Sequence, residues 1–226
     1  MHIEPGIVHG AKMVLAYGTA AGAAGYAAKL AWDDLKAHGA APLAVRSALA
    51  AVGAFVFFEV LPHFPVGISE VHFILGTTLL LLLGVAPAAI GLAAGLALQG
   101  LLFAPSDLPM YFVNVTTLLV PLFAIFALSK RIIAPDTAYV DLKYGQALKL
   151  SAAYQGGVIA WVAFWAVYGQ GFGAETIAAV LSFGTAYLIV ILVEPVADLA
   201  VLALAKLGRR LLQNPHLTHP RLHAPA

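Results

Sequence analysis

The first two residues of the chain, Met1 and His2, carry nitrogen atoms that could hold one metal ion together. Because the His side chain is too large to favour removal of the initiating Met, we expect a free Met1 amine followed directly by an imidazole. The amine, the His2 amide nitrogen and the His2 ring nitrogen could close fused chelate rings around a divalent cation. Such a donor set suits nickel, copper or cobalt in a planar or tetragonal field. The start of the chain has neither a basic segment before a hydrophobic stretch nor a small-residue cleavage site after it, so a removable signal peptide is not predicted.

Histidines recur in the segment 62–72, which also contains two prolines and a glycine. This composition predicts a constrained loop that ends at His72, where a hydrophobic run begins. If the N-terminal segment folds between the helices, the His72 imidazole could complete four nitrogen ligands, and Ser69 or Glu70 could orient a ligand. The sequence leaves open the simpler alternative that His9 and His63 are polar residues of a membrane interface and that His2 belongs to a disordered terminus.

The composition predicts an integral membrane protein. Hydrophobic residues make up 62% of the 226 residues and charged residues only 10%, far from the composition of soluble domains. The chain has no cysteine, which excludes disulfides and thiolate metal sites. There is no phosphate-binding Gly-rich loop with Lys and Ser/Thr, and no paired-carboxylate or Ser/His/Asp arrangement, so we expect neither an ATPase nor another enzyme.

The hydrophobic segments are long enough to suggest a helical bundle, since a hydrocarbon core of about 30 Å requires roughly 20 residues of helix. Residues 1–206 are therefore assigned to a transmembrane metal-binding domain, and residues 207–226 to a polar tail. The predicted fold class is an all-α integral membrane bundle of about seven transmembrane helices. The predicted segments are 11–31, 43–62, 71–85, 87–104, 109–128, 147–169 and 175–206.

The charged residues predict how this bundle is oriented. Of the 12 Lys and Arg residues, all except Lys12 fall in the loop after the first segment, in the 129–150 loop or in the tail. By the positive-inside rule these regions are cytoplasmic. The N-terminus is then expected outside and inserted into the bundle, and the C-terminus is expected in the cytoplasm, which agrees with an odd number of crossings.

Several residues together resemble the CbiM/NikM family, the cobalt- and nickel-specific substrate-binding (S) components of energy-coupling-factor (ECF) transporters. The resemblance covers roughly the first 130 residues. It rests on Met1-His2-Ile3 with Gly6, Phe64-Pro65-Val66, Ser69 to His72, the small and aliphatic residues from Gly76 to Phe103, and Asn114.

The resemblance implies a function for the whole chain. It implies that Met1, His2 and His72 bind Co²⁺ or Ni²⁺ as the transported substrate, with no organic cofactor. The implied partners are a transmembrane coupling protein, two ABC ATPase subunits and a small accessory membrane protein. The chain itself is expected in the lipid bilayer of a prokaryotic cytoplasmic membrane. No nucleic acid is expected as a partner.

One departure from the family pattern leaves the ligand set open. The residues before His72 read Ile68-Ser69-Glu70-Val71, where the family is richer in Gly and Thr. An acidic residue two positions before the expected ligand leaves cobalt and nickel undecided, and His63 remains an alternative to His72. Asn114 could close the binding cavity or make an interhelical hydrogen bond.

Other polar and small residues within the segments have two interpretations. Glu194 and Asp198 share one helix face and could pair with a basic residue. Gly91 and Gly95 favour close packing inside the bundle, whereas the Gly18/Gly22 surface could equally face a partner protein. The tail histidines, His216, His219 and His223, could buffer metal or belong to a plain polar tail. A function of a different class stays open as well, that of a structural or assembly membrane subunit without metal.

Overall fold

The computed structural model describes residues 2–135 and 137–208, and these residues form seven α-helices and one β-hairpin. The tail beyond residue 208, including its histidines, lies outside the described residues, as does Met1. The helices are α1 (Met13–His38), α2 (Ala40–Phe55), α3 (Gly76–Leu83), α4 (Val85–Leu102), α5 (Tyr111–Ile132), α6 (Tyr144–Gln170) and α7 (Ala174–Leu207). A π-helical turn (Val56–Val60) extends α2, and short 3₁₀ turns cover Gly10–Lys12, Pro105–Met110 and Tyr139–Asp141.

Within the part of the chain that the structure describes, five helical stretches are long and apolar enough to cross a membrane, so the protein is an integral membrane protein. They are Ala40–Val60, Val85–Leu102, Pro105–Ile132, Tyr144–Gln170 and Ala174–Leu207. The prediction of seven helices agrees with the structure, whereas the prediction that all seven cross the membrane, and with it the orientation, stays a prediction. α1 has 26 residues but is dominated by Ala and Gly and ends in charged turns.

The segment between α2 and α4 is where the structure corrects the all-helical interpretation. The predicted helix 71–85 is only eight residues long, Gly76–Leu83, which is about 12 Å and less than half of a bilayer's hydrocarbon thickness. The residues before it form an antiparallel hairpin of β1 (Phe64–Val66) and β2 (Ser69–Val71). Gly67 provides the turn with φ 63, a backbone conformation that glycine adopts without steric cost.

Two glycines bring α2 and α4 into unusually close contact. A Cβ atom at Gly91 would lie 2.2 Å from Ala50 Cβ, and one at Gly95 would lie 2.7 Å from Ala54 Cβ. The prediction that this small-residue pair packs inside the bundle is therefore confirmed. A Cβ atom at Gly18 would meet no other atom within 4 Å, so the surface of α1 at Gly18 is not used for packing within the described chain.

Arg46 ties three helices together at the end of the bundle opposite to the hairpin. Its side chain is fully buried. Its Nη2 donates to Asp34 on α1 at 2.7 Å, and its Nη1 donates to the Leu83 carbonyl at the C-terminal end of α3 at 2.8 Å. A buried charge of this kind is tolerated because it is both paired and hydrogen-bonded.

The contact between α2 and α4 predicts opposite effects for two matched Gly→Ala changes. Gly91→Ala should lower the stability by about 1–3 kcal/mol, because the added methyl group overlaps with Ala50. Gly18→Ala should be neutral or stabilising by up to about 1 kcal/mol, because it improves helix propensity in open space. Thermal unfolding of both variants in the same detergent would measure the difference, and equal melting temperatures would contradict the packing described here.

Candidate metal centre

The N-terminal segment runs alongside the β1–β2 hairpin and hydrogen-bonds to it in the manner of a third strand. The Glu70 N–H donates to the His2 carbonyl at 2.9 Å, and the Glu4 N–H donates to the Ile68 carbonyl at 3.1 Å. The Ser69 hydroxyl donates to the same His2 carbonyl at 3.0 Å. These bonds bring the start of the chain into the bundle, next to the residues that lead to His72.

The other side of the N-terminal segment is held by α5. The Asn114 side-chain oxygen accepts the N–H of Ile3 at 2.8 Å, and both residues are buried. The sequence allows Asn114 either to close the binding cavity or to make an interhelical hydrogen bond. In the structure its hydrogen bond is made to the N-terminal backbone and not to another helix. The backbone of Ile3 is therefore fixed between the hairpin and α5, which fixes the position of His2 beside it.

Three side chains meet where this segment passes the hairpin. His2, Glu70 and His72 each offer one potential ligand atom, and these atoms lie within 4.8 Å of one another. The two imidazoles are buried, with exposed fractions of 3% for His2 and 1% for His72, and their ring centroids lie 5.6 Å apart at 81°. The ring of Phe58 packs against His72 at 4.9 Å. Imidazole nitrogens and a carboxylate are ligands that transition metals accept.

Asp107 is a member of the site that no sequence pattern indicates. Its carboxylate lies 2.6 Å from His2 Nδ1, and the Glu70 carboxylate lies 3.5 Å from the same nitrogen. Burial lowers the pKa of the His2 imidazole, while the hydrogen bond with Asp107 opposes that shift. The sequence predicts only that Asp107 lies on the outer side of the membrane. It does not indicate the contact with His2, because two residues 105 positions apart leave no periodic signal in a sequence.

An acidic cavity leads to His2 from the end of the bundle. It has a volume of about 330 Å³ and is lined by His2, Glu4, Glu70, Asp107 and their neighbours. Burial, and then the charges of the Glu70 and Asp107 carboxylates, raise the pKa of Glu4, because both disfavour its charged form. Carboxylates around a concave opening raise the local concentration of cations.

The remaining predicted residues lie apart from this group. His63 is exposed and its Nδ1 bonds the carbonyl of Leu61 at 3.2 Å, so the structure does not bring it to His2. His9 is exposed as well. Met1, the third expected ligand, lies outside the described residues, so its role stays a prediction, as do the ligand roles of His2 and His72.

The expectation that Glu194 and Asp198 pair with a basic residue was wrong for the described part of the chain. Neither carboxylate forms an ion pair there. Glu194 accepts hydrogen bonds from the Ile74 N–H and the Gln155 side chain, and Asp198 accepts one from the Thr78 hydroxyl. Backbone and side-chain donors of α6, of α3 and of the turn before α3 replace the expected cation.

The fold and the site together define a class of protein. It is an integral membrane protein with buried imidazoles beside carboxylates at one end of its helical bundle, and a cavity is lined by one of these imidazoles, that of His2.

Comparison with known families gives the particular family. The family described as cobalt uptake substrate-specific transmembrane region matches residues 2–210, so the chain belongs to that family. No curated protein and no solved structure matched the chain. Membership makes the protein a membrane component of metal uptake.

Removing the Asn114 side chain tests whether it fixes the N-terminal segment. Asn114→Ala should leave the buried Ile3 N–H without a partner, which costs about 1–3 kcal/mol, and should speed hydrogen exchange of residues 2–8. Thr117→Val is the matched control, because the Thr117 hydroxyl bonds the Val113 carbonyl of its own helix. Hydrogen-exchange mass spectrometry in detergent provides the measurement, and equal protection of the segment in the two variants would contradict the assigned role.

Proposed function

We propose that the chain is the subunit that captures the metal ion, and that it binds one divalent transition-metal ion at its N-terminus. The observation that carries this proposal is the convergence of the buried His2 and His72 side chains on one point, within 4.8 Å of each other and of Glu70. The two histidines come from different segments of the chain, and the backbone bonds of Ile3 and His2 hold these segments together.

The ligand set that we propose consists of the Met1 amine, the His2 amide nitrogen, a His2 ring nitrogen and the His72 imidazole. The nitrogen that closes a six-membered chelate ring with the His2 amide is Nδ1, because it is bonded to Cγ, the ring carbon attached to Cβ. In the structure this nitrogen is engaged with Asp107 at 2.6 Å. Binding at Nδ1 therefore requires the metal ion to replace the Asp107 hydrogen bond, and Asp107 and Glu70 remain beside the bound ion as compensating negative charges.

Cobalt is the substrate that we propose first. The family is described by cobalt uptake, and the carboxylates of Glu70 and Asp107 offer oxygen atoms beside the nitrogen donors. An oxygen donor beyond a planar set of four nitrogens suits Co²⁺, which accepts five or six ligands, better than planar Ni²⁺. Nickel is the alternative, and direct comparison of the two ions decides between them.

We further propose that the metal centre faces the outside of a prokaryotic cytoplasmic membrane and that the C-terminus lies in the cytoplasm. The distribution of Lys and Arg supports this orientation. The chain lacks a nucleotide-binding loop, so the energy for uptake would come from two ABC ATPase subunits acting through a transmembrane coupling protein. A small accessory membrane protein could complete the assembly.

Blocking the N-terminus and removing His72 test this proposal. An extension of several Gly and Ser residues before Met1 carries the free amine away from His2, and His72→Ala removes the imidazole. Each change should weaken Co²⁺ binding by at least about 100-fold. Loss of a group that only orients a ligand already lowers metal affinity by about 10- to 100-fold, and here a ligand itself is lost. Isothermal titration calorimetry of the detergent-purified protein would measure the affinity, after mass spectrometry has verified an unmodified Met1.

His63→Ala is the control, because His63 is exposed and lies apart from the group. It should bind Co²⁺ as the unaltered protein does. If the unaltered protein binds neither Co²⁺ nor Ni²⁺, or if both changes leave binding intact, the capture proposal is wrong and a structural membrane subunit is the better description.

A further inference from the structure

The segment that carries His72 is anchored to α7 by a carboxylate. Glu194 accepts the backbone N–H of Ile74, two residues after His72, and its second oxygen accepts the side-chain amide of Gln155 on α6. The side chains of Glu194 and Gln155 are both fully buried. The path from His72 to the middle of α7 is thus one short piece of backbone and one hydrogen bond.

The next residue of this segment has an unfavourable backbone conformation. Leu75 has φ 50, and it is the one non-glycine residue with positive φ in the described chain. For an L-residue with a side chain as large as that of Leu this conformation is disfavoured, and it persists only where neighbouring contacts impose it. The Glu194 bond to Ile74 is made at the adjacent residue, so it is placed to impose this turn.

The turn is also confined by α6. A Cβ atom at Gly76, the first residue of α3, would lie 2.3 Å from the Tyr154 ring. Tyr154 is itself fully buried. The chain leaving His72 is therefore fixed on one side by Tyr154 and on the other by Glu194.

Beside Gln155, only a carboxylate at position 194 satisfies the donors that meet there. The Tyr187 hydroxyl donates to the Gln155 side-chain oxygen at 2.6 Å, so the Gln155 amide group must point its N–H toward Glu194. Ile74 presents a second N–H. A carboxylate accepts both, whereas an amide at position 194 would offer one acceptor and one donor.

We propose that Glu194 is a positioning residue for the metal centre, which sets the place of the His72 imidazole by holding the Ile74–Leu75 turn against α7. This inference rests on the proposed function of His72 as a ligand. It explains why a carboxylate is retained inside a membrane bundle, where an acidic side chain is costly. Because Glu194 is on α7, a movement of α7 would also move the Ile74–Leu75 turn and the His72 imidazole.

Asp198 provides an internal comparison. It accepts the hydroxyl of Thr78, which lies within α3 and about one helical turn beyond the Leu75 turn. Asp198 therefore holds the body of α3 rather than the segment that carries His72. Loss of Asp198 should affect stability more than it affects the metal site.

The test compares Glu194→Gln with the exchange variant Glu194→Gln/Gln155→Glu in the full chain. In the exchange variant, the new carboxylate at position 155 accepts both the Tyr187 hydroxyl and the new amide N–H. The amide oxygen at position 194 still accepts the Ile74 N–H, so the Ile74 N–H and the Tyr187 hydroxyl each keep an acceptor. Asp198→Asn is the comparison variant, and Glu175→Gln, at an exposed position in the first turn of α7, is the control.

Three quantities are measured for each variant: the Co²⁺ affinity, the absorption spectrum of the bound Co²⁺ and the melting temperature without metal. Glu194→Gln should bind Co²⁺ about 10- to 100-fold more weakly, the range typical of residues that orient a ligand, and its Co²⁺ spectrum should change. The exchange variant should regain both the affinity, to within about threefold, and the spectrum. Asp198→Asn should lower the melting temperature and leave the spectrum as it is.

The outcomes separate this proposal from the function on which it rests. If the unaltered protein binds no Co²⁺, the proposed function fails. If the unaltered protein binds Co²⁺ and Glu194→Gln does so with the same affinity and spectrum, positioning by Glu194 fails alone. If Glu194→Gln does not fold, Glu194→Asp decides, because its shorter side chain keeps a carboxylate but must draw the Ile74–Leu75 turn toward α7: a changed Co²⁺ spectrum supports positioning, and an unchanged spectrum overturns it.

Discussion

The first residues of the chain are buried, and the elements around them therefore have to supply hydrogen-bond partners for their backbone. A backbone inside a membrane protein must find a partner for each of its polar groups, because the surroundings offer no water. Here the Ile3 N–H is accepted by Asn114, and the His2 carbonyl accepts two donors from the hairpin. The hairpin has a place in a helical bundle because it supplies the edge to which this segment bonds.

The hairpin in turn accounts for the shortness of α3. Residues 64–71 form the two strands and their turn, so α3 begins inside the bundle at Gly76 and has only eight residues. A helix that begins inside a bundle exposes unpaired N–H groups there. On α7, Glu194 accepts the Ile74 N–H just before α3, and Asp198 accepts the Thr78 hydroxyl within α3, which gives two buried acids a role without a cation.

The candidate metal centre follows from the same arrangement. The N-terminal segment brings His2 to the hairpin, and the turn at the start of α3 brings His72 to His2. Around them, Glu4, Glu70 and Asp107 line a cavity of about 330 Å³ and give it a negative charge that favours cations. Nitrogen donors in a buried position and carboxylates at the opening are features suited to capturing a transition metal from water.

Local composition was enough to predict the seven helices and the candidate ligands. Hydropathy identified each helix because burial in a membrane depends on the residues of one segment, and the residue types at positions 2 and 72 indicated nitrogen ligands. The hairpin, the eight-residue length of α3, the contact of Asp107 with His2 and the partners of Glu194 came from the three-dimensional packing instead. These features depend on groups as much as 120 positions apart, whose meeting is set by how the helices pack and leaves no periodic pattern in the chain.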